Sequence, residues 1–173
     1  MRNIIKDRQI VADDWTVLKL EEGQAPESAT VAPGKVLVPL TVWLAQRATL
    51  AARSDVGVWI DSHERAEDLK DDAAKLPLIA VNFPKFADGR GYSIAYNLRS
   101  RLKYTGELRA IGDVLRDQLF YMQRAGFNAF AVREDKDIND ALKGLGDFTQ
   151  PYQNSTDIRA PLFRRVHRNG ASA

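Results

Sequence analysis

Short apolar runs alternate with longer amphipathic stretches between residues 35 and 147. Several runs are apolar at consecutive positions, which is typical of strands that helices cover on both faces. A repeated succession of strand and helix predicts a parallel sheet with right-handed crossovers. The predicted fold is therefore α/β, with five successive β/α units. Strands are expected within residues 36–38, 56–60, 76–83, 107–111 and 128–132, and helices within 39–53, 64–74, 92–103, 113–125 and 137–145.

Residue types at the helix ends agree with this pattern. Pro39 suits a first helical position, Asp113 and Asp137 are expected N-caps, and Gly146 ends the last helix. The pattern is compatible with two forms of the sheet, an open flavodoxin-like sheet and a partial β/α barrel. The open sheet is favoured because 173 residues fall short of the roughly 250 that a full eight-unit barrel needs.

The two ends of the chain differ from this core. Two strand-like segments, residues 8–11 and 15–20, are separated by a polar turn at 12–14 of the usual hairpin length, which predicts an N-terminal β-hairpin. We expect a single domain over residues 1–173, with the hairpin in 1–20, a Pro- and Gly-containing loop in 21–34 and the β/α core in 35–147. Residues 148–173 are expected to form an extended basic tail whose last five residues are disordered.

Composition excludes several kinds of site. The chain has no cysteine and only two histidines, so disulfides, thiolate-bound clusters, cysteine-ligated zinc and thiol nucleophiles are excluded, and no metal site is predicted. The net charge of +2 does not imply nucleic acid. The longest uncharged run, Val36–Gln46, is too short to span a bilayer, and no signal peptide is evident. We expect a cytoplasmic protein without membrane or nucleic-acid partners.

Ligands of parallel α/β sheets collect beyond the carboxyl ends of the strands. The turns after the third and fourth predicted strands carry most of the charged and amide side chains at that edge. Arg109 lies within the fourth strand, and if buried it needs a carboxylate partner, for which Asp113 or Asp88 is expected. The candidate ligand- or partner-binding residues are Lys85, Asp88, Arg90, Arg109, Asp113, Asp117 and Gln118; no catalytic residue is assigned.

Each of these features has a structural alternative. Gly89 and Gly91 could expose N–H groups to an anion, or form a tight turn with positive φ that Asp88 caps. Asp113 and Asp117 could bind a metal or share a proton, or simply complement a helix dipole. The basic residues Arg99, Arg101 and Lys103 form either a solvated helix face or a docking patch for an acidic protein or anion.

Residues 83–86, 88–93, 104–119 and 126–127 form long motifs, and the same pattern extends through 38–40, Trp43, 57–59 and 152–153. These motifs resemble one small, uncharacterised bacterial family. That family is encoded beside assimilatory sulfite reductase genes, and its members are labelled as oxidoreductases of sulfite reduction. Ala125 and Asn128 depart from the family pattern, which often has Cys and Asp there, so an activity that used this thiol would be absent.

The resemblance implies a role in sulfite reduction but no particular catalytic residue. Because the chain has no cysteine and no dinucleotide-binding fingerprint, the leading hypothesis is an accessory protein that docks on sulfite reductase or its electron-supplying components. No cofactor is predicted. The alternatives are an oxidoreductase that binds flavin or NAD(P) at the strand ends, and a module that binds an oxyanion. Whether the protein is an enzyme, and its oligomeric state, are left open.

Overall fold

The computed structural model describes residues 2–165 as an α/β fold around one eight-stranded sheet. The strand order is β2-β1-β8-β7-β6-β5-β4-β3. Neighbours from β3 to β8 pair in parallel, whereas β1 pairs antiparallel with both β8 and β2. The part of the predicted tail in 166–173 lies outside the described residues. The strands are β1 Asn3–Lys6, β2 Gln9–Ala12, β3 Thr16–Val17, β4 Val36–Pro39, β5 Val56–Ile60, β6 Leu78–Phe83, β7 Glu107–Gly112 and β8 Ala129–Phe130.

The helices are shorter than the sequence predicted. Residues 64–74, an expected helix, contain only two 3₁₀ turns, Ala66–Leu69 and Ala73–Lys75, because the segment buries just three apolar side chains, Ala66, Leu69 and Ala73, beside the carboxylate of Asp72. The helix expected from Asp113 begins later, after a 3₁₀ turn. None of the helices in residues 2–165 has the length and apolar character needed to cross a membrane. The helices are α1 Leu40–Ala45, α2 Arg47–Leu50, α3 Arg90–Ser100, α4 Leu119–Ala125, α5 Ile138–Gly144 and α6 Leu162–Arg165.

The principal helices pack on one face of the sheet. Alternate strand residues such as Val58, Val81 and Leu108 share a single large core with buried residues of α1, α3, α4 and α5. The residues between them point to the other face, where the fully buried Leu37, Leu78 and Ala80 lie under partly buried Trp15, Trp59 and Ile111. Coverage of both faces by helices, expected from the apolar runs, is therefore wrong.

The sheet is curled into a half-barrel. Its two edge strands, β2 and β3, are joined by only three residues, Asp13–Trp15. Since a chain advances at most about 3.6 Å per residue, this link holds the opposite ends of an eight-stranded sheet within about 15 Å of each other. The barrel alternative, rather than the open flavodoxin-like sheet, is the one adopted. Five complete β/α units are not seen, because an α-helix is missing between β5 and β6.

The N-terminal hairpin has different strands from those predicted. Residues 3–6 pair with 9–12 around Asp7 and Arg8, which both have positive φ, as two-residue hairpin turns require. The second predicted strand instead contributes β3, which pairs in parallel with β4. The acidic turn signal at Asp13 and Asp14 marks the connection across the curled sheet.

Candidate functional site

Backbone and side-chain hydrogen bonds tie together the loops that follow β6 and β7. The backbone N–H of Phe86 donates to Oδ2 of Asp113 at 2.8 Å. Gln118 is buried and spans the same two loops, because its Nε2 donates to the carbonyl of Phe86 at 3.3 Å and its Oε1 accepts the N–H of Leu115 at 2.9 Å. The two predicted turns therefore meet, as adjacent strand ends should, but they meet through Phe86, which was not a candidate; Asp88 and Arg90 bond to each other and to Ser62 instead.

Asp88 and Arg90 form an ion pair beside the end of β5. The guanidinium of Arg90 donates to Asp88 through Nε at 2.9 Å and Nη2 at 2.6 Å, and Nη2 also reaches the buried hydroxyl of Ser62 at 3.0 Å. Hydrogen bonds from Arg90 and Ser62 hold the pKa of the Asp88 carboxyl well below its usual range. Asp88 also accepts the backbone N–H of Arg90 at 3.2 Å. A carboxylate of the protein thus occupies the first turn of α3.

The expected positive φ of the two glycines in this turn is wrong. Gly89 has a φ of −82° and precedes α3, and Gly91 lies inside the helix. A Cβ atom on Gly91 would lie 2.6 Å from the ring of Phe83. Gly91 is therefore needed for close packing of α3 on β6, and not for a left-handed turn.

A second cluster joins the ends of β7 and β8. Arg133 donates to Asp113 at 2.8 Å through Nη1, and to Asp135 at 2.9 Å through Nε and 2.8 Å through Nη2. Hydrogen bonds from Arg133 lower the pKa of Asp113 and bring that of Asp135 to about 2, while the two carboxylates raise the pKa of Arg133. Asp113 is thus engaged with Phe86 and Arg133, and the prediction that it caps a helix is wrong.

Two candidate residues take no part in these clusters. Lys85 and Asp117 are exposed, and neither forms an ion pair within residues 2–165. The carboxylate of Asp113 is paired with Arg133. Over the same residues there is no group of three acidic or histidine side chains placed to hold a metal ion.

Arg109 lies apart from the edge, on the face of the sheet without helices. Its side chain is only 3% exposed and pairs with Asp13 at 2.9 Å and with Glu107 at 2.7 Å. Lys6 reaches the other oxygen of Glu107 at 2.7 Å. The expected partners, Asp113 and Asp88, are wrong: Arg109 lies on the same face of β7 as Glu107, whereas Asp88 and Asp113 are paired with Arg90 and Arg133 beyond the strand ends.

The carboxyl edge is closed by its own charges. None of the four surface cavities in the described part of the chain is lined by Lys85, Asp88, Arg90, Arg109, Asp113, Asp117 or Gln118, although one of them adjoins Arg133 after β8. What the edge presents to solvent is the cationic side chain of Lys85, the phenyl ring of Phe86, which is 49% exposed, and the outer part of Arg90. We use the name carboxyl-edge network for the residues of the two ion-pair clusters together with Gln118. Its members are Ser62, Asp88, Arg90, Asp113, Gln118, Arg133 and Asp135.

Some residues of the network were not among the candidates. Ser62 lies two residues after β5 and Arg133 lies three residues after β8, so their place after a strand is the signal that would have included them. For Asp13 the only signal is a polar residue between strands, and nothing local indicates that it reaches Arg109. Glu107 was detectable, because β7 alternates Glu107, Arg109 and Ile111 with apolar residues, a pattern of one exposed or ion-paired face.

Comparison with known proteins finds a match to a family model. Residues 57–163, well over half of the chain, match the model of a family described as "Bacterial protein of unknown function (DUF934)". The matched span includes β5 to β8 and the whole carboxyl-edge network. Searches of curated proteins and of solved structures returned no match.

Proposed function

The chain belongs to this bacterial family of unknown function, and on that premise we propose that it is a cytoplasmic accessory protein of assimilatory sulfite reduction. In this role it docks on sulfite reductase or on the components that supply its electrons, and it aids electron delivery, assembly or activity. The pathway rests on the resemblance of the motifs around residues 83–93 and 104–119 to proteins encoded beside sulfite reductase genes.

The self-paired state of the carboxyl edge is the observation that favours docking. Arg90 and Arg133 are matched by Asp88, Asp113 and Asp135, so the network offers little unpaired charge to a small ligand. Its rim still exposes Phe86 and Arg90, which are residue types enriched at protein interfaces. Such an edge suits contact with another protein surface.

The two alternative functions are less well supported. An oxyanion module would use the N–H groups at the start of α3, but the carboxylate of Asp88 already accepts the N–H of Arg90 there. An oxidoreductase would need a cavity between the strand ends for flavin or NAD(P). Of the four cavities described, one of about 410 Å³ adjoins the end of β8, and none is lined by Asp88, Arg90, Asp113 or Gln118. The absorption spectrum of the purified protein tests this directly, because stoichiometric flavin would favour the enzyme.

Growth on defined sulfur sources tests the proposed function. Deleting the gene should slow growth on sulfate and on sulfite, and spare growth on cysteine, because only the first two require sulfite reduction. The wild-type gene should restore growth, whereas a Lys85→Glu, Arg90→Glu double variant should not. Lys85 is exposed, but Arg90 neutralises Asp88, so the variant should melt at a somewhat lower temperature while remaining folded at the growth temperature, which circular dichroism would check.

A matched control separates docking from loss of charge. Lys19 and Lys75 are exposed cations outside the carboxyl-edge network, and the Lys19→Glu, Lys75→Glu variant should support normal growth. Equal growth of the deletion strain on all three sulfur sources would contradict the pathway. If the edge variant fully restored the growth of the deletion strain, docking through this edge would be contradicted.

A further inference from the structure

A groove runs along α3 on the helix-covered side of the molecule, away from the carboxyl-edge network. It consists of two adjoining cavities of about 790 and 580 Å³ between α3, α4 and the segment 153–159. The cavities share Tyr96, Asn154 and Ser155, so they form one continuous depression. We call it the α3 groove.

The length of the α3 groove fits a short extended peptide. Its lining begins at Tyr92 near the start of α3 and ends at Lys103 just beyond the helix. Eleven steps at 1.5 Å per residue make it roughly 17 Å long. An extended chain rises about 3.3 Å per residue, so the groove accommodates about five residues.

The walls of the groove are aromatic and basic. Tyr96 is 48% exposed and Tyr121 is 63% exposed, and tyrosine is enriched at the energetic centres of protein interfaces. The cations Arg101, Lys103 and Arg159 are exposed along the same depression. Asp157 supplies the single carboxylate of the lining. Lys103 and Arg159 form no ion pair within residues 2–165, whereas Arg101 lies 3.7 Å from Glu67.

The groove is built by the fold before any partner binds. Arg124 of α4 is buried, and its Nη2 donates to the carbonyl of Gln153. Its own carbonyl accepts hydrogen bonds from the hydroxyls of Ser155 at 2.6 Å and Thr156 at 2.7 Å. Asp157 lies 3.6 Å from Nε of Arg124. These contacts hold one wall in place, so binding does not have to order it.

We propose that the α3 groove binds an acidic segment, about five residues long, of a partner protein. Unpaired cations attract the carboxylates of that segment, and the tyrosine rings pack against its side chains while their hydroxyls remain available for hydrogen bonds. The identity of the partner rests on the proposed function, but the site and its acidic preference do not. This surface is separate from the carboxyl edge, so the protein has two faces with which to contact its partners.

Selection from a random peptide library tests the acidic preference directly. Pentapeptides are selected on the immobilised full-length protein, and the enriched peptides are synthesised and titrated by fluorescence anisotropy. Enriched peptides should be rich in Asp and Glu. Their affinity should fall as salt rises from about 50 to about 500 mM, because this change shortens the screening length roughly threefold. Selection of neutral or basic peptides, or of none, would overturn the proposal.

Variants locate the binding site. Arg101→Glu with Arg159→Glu should weaken acidic peptides at least tenfold, and Tyr121→Ala should weaken them several-fold, whereas the Lys19→Glu, Lys75→Glu control should bind as the wild type does. All these side chains are exposed, so circular dichroism should show unchanged folding. Equal weakening by the control would mean non-specific attraction and would refute the groove. Peptide binding tests the groove and growth tests the pathway, so either can fail alone.

Discussion

Arg109 is almost fully buried, yet its charge is fully matched on the face of the sheet that lacks helices. Asp13 and Glu107 each accept from its guanidinium, and Lys6 binds the remaining oxygen of Glu107. Two cations therefore face two carboxylates. Because burying an unmatched charge costs several kcal/mol, each member of this group depends on the others. The group joins β1, β7 and the link after β2.

Replacing Arg109 by Met should strongly destabilise the protein. The substitution keeps most of the side-chain volume but leaves Asp13 and Glu107 buried with only Lys6 nearby, and the expected loss is about 3–5 kcal/mol in the free energy of unfolding. Urea denaturation followed by tryptophan fluorescence would measure it. Arg101→Met, at a 70% exposed side chain, is the control and should change stability by less than about 0.5 kcal/mol. Equal stability of both variants would show that the buried ion pairs are dispensable.

At the scale of elements, α3 lies unusually close to β6 because a glycine faces the sheet. The ring of Phe83 would lie 2.6 Å from a Cβ atom at position 91. That ring makes an edge contact with Tyr92 at 5.4 Å and a tilted contact with Phe127 at 5.8 Å between centroids. Moving α3 outward would also displace the groove that it lines. Gly89, two residues earlier, faces open space.

The two glycines should therefore respond differently to alanine. Gly91→Ala should lower the free energy of unfolding by about 1–3 kcal/mol, because overpacking must displace either the Phe83 ring or the helix. Gly89→Ala adds a methyl group in open space at a φ of −82°, so stability should be unchanged or slightly higher. Thermal and chemical denaturation of the pair would decide. If Gly91→Ala left the free energy of unfolding unchanged, α3 would be able to move away from β6 without cost.

At the scale of the whole molecule, the curl of the sheet depends on the three-residue link between its edge strands. Trp15 in this link packs over the buried Leu37, Leu78 and Ala80. Asp13 contacts Arg109 in β7, in the middle of the sheet order. The link thus fills the inside of the half-barrel and holds its edges together.

Lengthening this link should destabilise the protein more than lengthening a loop elsewhere. Four Gly and Ser residues inserted between Asp14 and Trp15 should cost about 2–3 kcal/mol, the loss expected when a large apolar side chain such as Trp15 leaves its site. The same insertion between Gly23 and Gln24, in an exposed loop, should cost less than about 1 kcal/mol. Urea unfolding and near-ultraviolet circular dichroism would compare them. Equal effects would mean that the link does not hold the curl.

Local sequence patterns determined the parallel core. The apolar runs correctly placed β4 to β8 within a few residues, and Asp137 caps α5 as predicted, accepting the N–H of Asn139 at 2.9 Å. The same patterns correctly predicted that the turns containing Asp88, Arg90, Asp113 and Gln118 lie at the carboxyl edge. These features depend on side-chain periodicity, on capping chemistry and on the direction of parallel strands, all of which are local or topological.

Long-range contacts decided the rest. Which strands pair at the N-terminus, whether the sheet stays open or curls, and which carboxylate meets Arg109 depend on residues far apart in sequence, such as Asp13 and Arg109. The same holds for the α3 groove, whose walls come from α3, α4 and a segment after residue 150. Local propensity does not predict such pairs, because they stabilise the protein only when the tertiary fold buries distant segments together and pairs their charges.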